Sequence, residues 1–302
     1  MSTDMILIES RRATRAIRLA DYVELTKPKI AGMVLVTVCV AAFVANWGPP
    51  QGWLLLNTLL GTALVAASAS ALNQWLERDT DAQMARTAER PLPAGRLSAT
   101  QVIAFSITTI LIGATYLAFA VGLTTAALGL LTWVLYVCIY TPLKTRTPSN
   151  TAVGAVAGAV PVLMGWSAVG APLDLRAWSL FLLVYLWQFP HFMAIAWIYR
   201  RQYAAAGLKM LPVVDPSGYR AAAQAIVSAL VLIPVSLVPC LLQVQPAGEI
   251  YFAWALLLGL GQLACAVGFF LQLNDQAARR LLLASLIYLP AIMGLLVLGP
   301  LA

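Results

Sequence analysis

The chain has few charged residues. Only 10% of its 302 residues are Asp, Glu, Lys or Arg, whereas a soluble domain carries about 25%, which excludes an ordinary soluble domain. Its single histidine and four widely separated cysteines disfavour a disulfide framework and a clustered Cys/His metal site. With 61% hydrophobic residues and a mean hydropathy of +0.83, the composition instead indicates an integral membrane protein.

Long apolar runs account for most of the chain. A helix needs about 20 apolar residues to cross a bilayer, and nine segments approach that length. They lie at roughly 28–47, 53–76, 100–121, 124–141, 151–170, 177–199, 220–242, 249–272 and 281–300. Pro290 interrupts the ninth, but proline is tolerated in spanning helices. We predict an all-α integral membrane protein with an N-terminal segment, 1–26, and a single membrane domain, 27–302.

The basic residues indicate an orientation. If the N-terminus is cytoplasmic, eighteen of the nineteen Lys and Arg residues lie on the cytoplasmic side and only Arg176 lies outside. We therefore expect a multi-pass protein of the bacterial inner membrane, with polar loops at about 77–99, 141–150 and 200–219 in the cytoplasm. This topology, with attraction to anionic membrane lipid, explains the net charge of +7 without a nucleic-acid partner.

Residues 73–81 hold three of the twelve acidic residues in the chain. In a helix, Asn73, Glu77 and Asp81 recur every four residues and share one face, with Asp79 on a neighbouring face. Carboxylates at that spacing repel each other and need compensation. Mg²⁺ is one candidate, because it binds a few carboxylate oxygens together with substrate phosphates. A solvated helix end with arginine partners is the alternative, and the spacing alone does not choose between them.

Basic side chains surround this acidic run. Arg86 and Arg90 follow it among turn-forming residues, and Lys144 and Arg146 occupy the next cytoplasmic loop. Arginine can hold a phosphate with two parallel hydrogen bonds. A positive-inside loop explains the arginines equally well, but it does not explain the carboxylates beside them. The mixture favours a site for a Mg²⁺–diphosphate complex.

His191 lies about two turns inside the sixth apolar segment. A polar residue at that depth is costly and is a functional candidate by default, although a hydrogen-bonded core histidine is the alternative. Pro190 leaves a backbone carbonyl without its helical donor, and aromatic residues surround the imidazole. We therefore favour a contact between His191 and a substrate.

The fifth apolar segment begins at Asn150 and is rich in Gly and Ala up to Pro161. Small residues at such spacing allow close helix contact, and they could also leave room for a bulky ligand. Packing is the simpler interpretation.

Several motifs, taken together and in order, resemble the UbiA superfamily of intramembrane prenyltransferases. They are Leu25-Thr26-Lys27-Pro28-Lys29, Asn73…Glu77…Asp81, Met84-x-Arg86-Thr87-x-x-Arg90-Pro91, Lys144-x-Arg146-Thr147-x-x-Asn150, Pro190-His191-Phe192 and Ala206-Gly207-x-x-Met210-Leu211-Pro212-Val213-Val214. Within that superfamily the loops are similar to those of the haem O synthases, the protohaem IX farnesyltransferases. The resemblance covers about residues 20–300.

The resemblance implies about nine helices around a cavity open to lipid. The implied reaction joins farnesyl diphosphate to a vinyl group of protohaem IX, with Mg²⁺ as cofactor, and yields haem O and diphosphate. Asn73, Glu77 and Asp81 would be catalytic and, with Asp79, would hold the metal. The residues implied in diphosphate binding are Lys27, Arg86, Arg90, Lys144, Arg146 and Arg200, and those implied in haem binding are Tyr140, Asn150 and His191. Haem A synthase or terminal-oxidase assembly proteins are the implied partners.

One departure and two alternatives bear on this expectation. Family members usually carry an acid immediately before the position of Tyr203, but this chain has Gln202, so a second acid-held metal is doubtful.

A related enzyme could prenylate another aromatic acceptor, such as a quinone precursor. A haem transporter or assembly factor is the alternative outside enzymes. Transporters usually place charge near the bilayer midplane, whereas here the charge collects at one mouth of the bundle, which favours an enzyme.

Overall fold

The computed structural model describes residues 19–242 and 248–298, except the side chains of 240–242. Arginines 11, 12, 15 and 18, Cys240 and most of the predicted N-terminal segment lie outside this description. Within it, the regular secondary structure is helical. The nine long helices are α1 Pro28–Asn46, α2 Gly52–Leu76, α3 Ala99–Ala120, α4 Leu123–Leu143, α5 Asn150–Ala168, α6 Leu175–Ile198, α7 Tyr219–Leu242, α8 Gly248–Gln272 and α9 Asp275–Leu298.

These helices confirm the nine predicted membrane spans within the described residues. The largest difference is at α9, which begins at Asp275 rather than near residue 281. The Asn274 side chain accepts a hydrogen bond from the backbone N–H of Ala277 at 2.8 Å and caps the helix. The first turns of α9 therefore carry charged residues and extend beyond the apolar run from which its start was predicted.

Helices α5 and α6 form the centre of the bundle. α5 contacts α1, α4 and α6, and α6 also contacts α7 and α9. A Cβ atom at Gly165 of α5 would overlap the Val38 carbonyl of α1, so the two backbones approach closely there. Gly165 lies beyond Pro161, so this contact does not test the packing interpretation of the Gly- and Ala-rich stretch before it.

α2 does not continue through the acidic run as one helix. It ends at Leu76, Glu77 has φ −96° and ψ 5°, and a short helix, Arg78–Asp81, follows. The sequence reasoning considered Asn73, Glu77 and Asp81 on one face of a helix, and the structure interrupts that helix at Glu77. The backbone N–H groups of Glu77 and Asp81 nevertheless bond the carbonyls four residues earlier, at 3.0 and 2.7 Å, so the three side chains keep their four-residue spacing.

The end of α4 is π-helical over Leu135–Tyr140. Pro142 has no backbone N–H, so it cannot donate to the carbonyl four residues earlier. The N–H of Thr141 instead bonds the carbonyl of Tyr136, five residues back. Single π-helical turns of this kind widen a helix and often occur at functional sites. Here the turn lies where α4 carries Tyr136 and Tyr140 on the wall of a cavity.

Candidate active site

A cavity of about 630 Å³ extends from the charged side of the bundle into its interior. At its mouth, Lys27, Lys29, Arg86, Arg90 and Lys144 face Glu77 and Asp81, an excess of three basic side chains. From Glu77, just after the end of α2, the lining extends inward along α2 to Thr62, which corresponds to about 20 Å of helix. The deep walls are mostly apolar. The cavity thus has a charged mouth and an apolar interior.

Glu77 and Lys144 form the first ion pair of the mouth. The Lys144 Nζ lies 2.7 Å from a Glu77 carboxylate oxygen and 4.5 Å from the centre of the Tyr140 ring. Burial alone raises the pKa of Glu77, but the charges of Lys144 and Lys27 outweigh it, so the pKa lies below its usual value. Burial lowers the pKa of Lys144, but Glu77 more than reverses this effect and raises it. Both side chains are therefore charged.

Asp81 and Arg90 form the second pair. The Arg90 guanidinium lies 2.5 Å from the Asp81 carboxylate, which is only 2% exposed. Burial raises the pKa of Asp81, and the nearby Arg90 opposes that shift only in part. Thr87 donates to the Asp81 carbonyl at 2.9 Å and folds the following loop back over it. The loop therefore brings Arg90 to the carboxylate nine residues before it.

Lys27 and Asn73 form the third pair. Lys27 donates to Asn73 Oδ1 at 2.5 Å, and Asn73 Nδ2 donates to the Thr141 hydroxyl at 3.0 Å. These bonds connect the start of α1 to the end of α2 and to α4, and Asn73 itself is buried behind the cavity wall. Burial and the positive charge of Arg90 lower the pKa of Lys27 to about 7.

Arg86 is the most exposed of the predicted anion ligands that line the cavity. Its guanidinium lies 5.3 Å from the centre of the Tyr199 ring, within the range of a cation–π contact. Tyr203 lines the cavity one turn further along the chain, whereas its neighbour Gln202 does not. Arg86 therefore stands at the rim, held by an aromatic side chain rather than by an acid.

Besides Asn73, four predicted site residues lie away from the cavity lining. Asp79 is 82% exposed and pairs with Arg78 at 3.6 Å. Arg146 is exposed, and Arg200 pairs with Asp275 at 2.7 Å. Asn150 is fully buried and donates to the carbonyls of Thr147 and Lys209, at 2.7 and 3.3 Å. It joins two loops on the charged side instead of facing the cavity.

His191 lines the cavity well inside α6. Its Nδ1 lies 3.0 Å from the hydroxyl of Ser285 on α9, and Trp187 stacks on the imidazole with ring centres 4.9 Å apart. The indole N–H of Trp187 donates to the Ser285 carbonyl at 2.7 Å. Trp187 of α6 and Ser285 of α9 therefore fix the imidazole ring in place.

Small residues of α5 form another part of the wall. Gly154, Gly158 and Pro161 line the cavity, so the room for a ligand considered from the sequence exists beside the packing contacts. Gly158 lies against the Gln188 side chain, whose amide donates to the carbonyls of Ala155 and Val184 on either side. A side chain at Gly158 would overlap Gln188 and narrow the cavity.

Sequence reasoning missed several residues of this site. Tyr136 lies four residues before Tyr140, but no sequence pattern indicates a π-helical turn there. Thr87 belongs to the motif that also contains Arg86 and Arg90, but no role was predicted for it. Ser285 gave no signal, because it lies 94 residues from His191 and serine is common in membrane helices.

Glu77 and Asp81 supply the carboxylate oxygens that face the cavity, which is the ligand type Mg²⁺ prefers. In the described residues no group of three or more His, Cys, Asp and Glu side chains converges as a metal site. A metal bound here would therefore need additional oxygens from water or from a bound phosphate. This suits Mg²⁺, which usually keeps such ligands.

The sequence matches known proteins along nearly its whole length. The model of the UbiA prenyltransferase family matches residues 34–289. A protein of Solibacter usitatus named protoheme IX farnesyltransferase is 44% identical over 290 residues, which cover 92% of this chain and 98% of that protein. One of Rhodopirellula baltica with the same name is 42% identical and covers 90% of this chain and 96% of its own.

Solved structures share the fold at low sequence identity. A structure of digeranylgeranylglyceryl phosphate synthase has a TM-score of 0.79 at 15% identity, with 93% of this chain and 98% of that chain covered. A UbiA homolog from Archaeoglobus fulgidus, bound to DMAPP and Mg²⁺, has a TM-score of 0.67 at 16% identity, with 91% and 99% covered. The family model and the sequence relatives agree with this fold, and the chain belongs to the UbiA prenyltransferase family.

Proposed function

We propose that this chain transfers the farnesyl group of farnesyl diphosphate to a vinyl group of protohaem IX, giving haem O and diphosphate. The observation that carries the proposal is a single cavity with a charged mouth and an apolar interior that contains His191. An isoprenoid diphosphate has the same division into a charged head and an apolar tail. The name and high identity of the relatives support haem as the acceptor.

The proposed reaction consumes one water. The bond between the allylic carbon of the farnesyl group and its diphosphate oxygen breaks, and the electron pair leaves with the diphosphate. The vinyl π-electrons of haem form the new carbon–carbon bond. Water then adds its hydroxyl to the resulting cation and releases a proton, which leaves a hydroxyethylfarnesyl side chain.

The basic residues of the mouth would stabilise the leaving group. Lys27, Arg90 and Lys144 each bond an acidic or amide side chain beside the cavity, so they are held in place before a substrate enters. Fixed positive groups aimed at a developing negative charge lower the barrier without reorganising during the reaction. Arg86 would add a further contact from the rim. Arg146 and Arg200 lie outside the lining and have no role in this scheme.

Glu77 and Asp81 would hold Mg²⁺, with Asn73 behind them orienting Lys27. The metal would supply charge neutralisation for the departing diphosphate. Lys144 and Arg90, which pair with these two carboxylates, would place positive charge beside the metal. The Mg²⁺ in the A. fulgidus homolog supports a metal in this fold.

The acceptor would lie against α5, α6 and α9. Gly154 and Gly158 leave room on one wall, and Trp187 and His191 supply aromatic surface on another. A flat porphyrin needs both a wide apolar space and a fixed polar contact. His191 is the polar side chain best placed for that contact, and Tyr140 lines the path between it and the mouth.

The location in the cell follows from the charge asymmetry. We assign the N-terminus and the mouth of the cavity to the cytoplasmic side of the bacterial inner membrane, with residues 27–302 as one membrane domain. Ile30 and Met33 line the cavity yet are exposed, which supports an opening toward lipid along α1. A farnesyl chain could enter there. The product would then pass to haem A synthase or to a terminal-oxidase assembly protein.

One assay tests this function. Purified protein in lipid nanodiscs receives farnesyl diphosphate and protohaem IX, with and without Mg²⁺, and the haems are analysed by mass spectrometry. We expect a haem heavier by one farnesyl group and one hydroxyl group, and diphosphate in equal amount. An aromatic quinone precursor offered instead of haem tests the alternative acceptor. Haem binding without any diphosphate release would indicate a transporter or an assembly factor and would overturn the proposal.

A further inference from the structure

Ser285 and His191 share one hydrogen bond whose direction can be assigned. The Ser285 hydroxyl lies 2.7 Å from the carbonyl of Leu282 and 3.0 Å from His191 Nδ1. A carbonyl can only accept, and a serine has one hydroxyl hydrogen, so that hydrogen goes to Leu282. The bond to the imidazole then has only one remaining arrangement, in which Nδ1 carries a hydrogen and donates it to the Ser285 oxygen.

This arrangement fixes the tautomer of His191. Neutral imidazole carries one hydrogen, so an Nδ1–H leaves Nε2 with a free lone pair. Within the described part of the chain, Nε2 makes no hydrogen bond. Ser285 is fully buried and does not line the cavity, whereas His191 does. Nδ1 is therefore turned toward α9, which leaves Nε2 as the nitrogen available to the cavity.

On the basis of the function proposed above, we propose that His191 Nε2 binds the iron of the haem substrate and that Ser285 and Trp187 are the positioning residues for this bond. A lone pair can bind a metal but cannot donate to a haem propionate. Metal-binding histidines usually donate their other N–H to an oxygen that fixes the ring and its tautomer. Here the Ser285 hydroxyl oxygen accepts that hydrogen bond, and the Ser285 hydroxyl itself donates to the Leu282 carbonyl.

Trp187 fixes the plane of the imidazole. It stacks on His191 at an interplanar angle of 24°, and its own N–H is bonded to the Ser285 carbonyl. The same residue of α9 thus orients both rings of α6. Rotation of the imidazole would break the Nδ1 bond and the stacking at once, so the Nε2 direction is fixed before haem enters.

The first test uses His191→Gly and two small imidazoles. Wild-type protein titrated with ferric protohaem IX should give the optical and electron paramagnetic resonance spectra of histidine-bound haem. His191→Gly should lose them and bind haem about tenfold or more weakly. Imidazole should restore the spectra and farnesyl transfer, because it supplies a lone pair for iron and an N–H for Ser285, and 1-methylimidazole, which lacks the N–H, should restore them less well. Failure of both imidazoles to restore the spectra of histidine-bound haem would overturn the inference.

The second test uses Ser285→Ala, with Ser236→Ala as its matched control. Ser236 is equally buried and donates to the carbonyl three residues before it at the same 2.7 Å, but it lies on α7 without a histidine partner. Ser285→Ala should weaken haem binding about tenfold and lower the iron–histidine stretching frequency, while Ser236→Ala and Ser285→Thr keep the wild-type values. Equal behaviour of the two alanine variants would overturn the positioning role.

The failure of this inference is distinguishable from failure of the proposed function. If wild-type protein farnesylates haem but the spectra do not change in His191→Gly, only the iron ligand is wrong. If wild-type protein produces no farnesylated haem, the acceptor itself is wrong, whatever the spectra show.

Discussion

The mouth of the cavity and the surroundings of His191 are built on different physical principles. At the mouth, Glu77, Asp81 and Asn73 are each held by a cationic side chain, and the charges are set by mutual attraction. Around His191 the groups are neutral, and hydrogen bonds and ring stacking fix their orientation. The mouth is suited to a charged leaving group, and the interior is suited to the placement of an acceptor.

The two regions also differ in how a mutation should act. Removing one member of an ion pair leaves a partly buried charge without its partner, which is costly. Removing an orienting hydrogen bond leaves the ring present but less well placed. We therefore expect large losses of turnover at the mouth and smaller, spectroscopically visible changes around His191.

The largest loss should follow Asp81→Asn. The change keeps the shape of the side chain, but it removes a carboxylate that we propose holds Mg²⁺ and leaves Arg90 without its acid. We expect kcat/KM for farnesyl diphosphate to fall by about 10²–10³-fold. Steady-state kinetics in nanodiscs measures this fall. Glu89→Gln, an exposed acid of the same loop, is the control and should stay near wild type. Equal activity of the two variants would refute a role for the Asp81 carboxylate.

Lys144→Met should come next. Lys144 bonds Glu77 and lies over Tyr140 inside the lining, whereas Arg146 is exposed two residues later. We expect Lys144→Met to lower kcat/KM by about tenfold to a hundredfold, since one preorganised cation is lost. The loss in Arg146→Met should be at least several-fold smaller. Arg279→Met controls for removal of one positive charge. A larger loss at Arg146 would mean that the loop rearranges around diphosphate.

Gly158→Ala should act on stability and on the acceptor rather than on diphosphate. The new methyl group would overlap Gln188, which is held by two backbone carbonyls and cannot move freely. Overpacking of this kind costs about 1–3 kcal/mol. Thermal unfolding in detergent measures this cost, and the KM for haem should rise more than that for farnesyl diphosphate. Gly294→Ala, where a methyl group meets no atom within 4 Å, should leave Tm unchanged or slightly higher.

The smallest effect should follow Arg96→Met. Arg96 pairs with Asp21 at 2.6 Å and with Glu24 at 2.7 Å, and it thereby holds the segment before α1 against the loop after Asp81. Its side chain is 30% exposed, so solvent screening keeps the contribution to about 1 kcal/mol or less. In the Arg96→Met variant, limited proteolysis should cut the loop after Asp81 a few-fold faster than in wild type. An unchanged rate of cutting would show that apolar packing around Leu25 holds the segment alone.

The sequence predicted the membrane spans and the charged mouth because both depend on residue type and short spacing. The runs between polar loops located eight of the nine helices closely, and α9 was misplaced because its first turns are charged. The sequence predicted Lys144, Arg90 and Asp81 as site residues because acidic and basic side chains occur together in neighbouring polar loops. The break at Glu77 and the π-helical turn before Thr141 depend on backbone hydrogen bonding that side-chain spacing does not reveal.

Contacts between distant helices could not be predicted in the same way. The family resemblance implied that Asn73 holds the metal, but its partner Lys27 lies 46 residues away and holds it behind the cavity wall. His191 was identified as unusual by its depth, yet its partner Ser285 comes from α9. A single sequence does not say which helix packs against which. The tautomer of a histidine can therefore be assigned only after the bundle is known.

The central claim is that diphosphate leaves at the mouth as haem accepts the farnesyl group in the same cavity. A single-turnover experiment tests it most directly, with wild-type protein in excess over farnesyl diphosphate, in the presence of Mg²⁺ and protohaem IX. We predict that diphosphate and farnesylated haem form at one rate and in a ratio of one to one, and that omitting haem greatly slows diphosphate release. Release at the same rate without haem, together with no farnesylated haem in its presence, would contradict the claim.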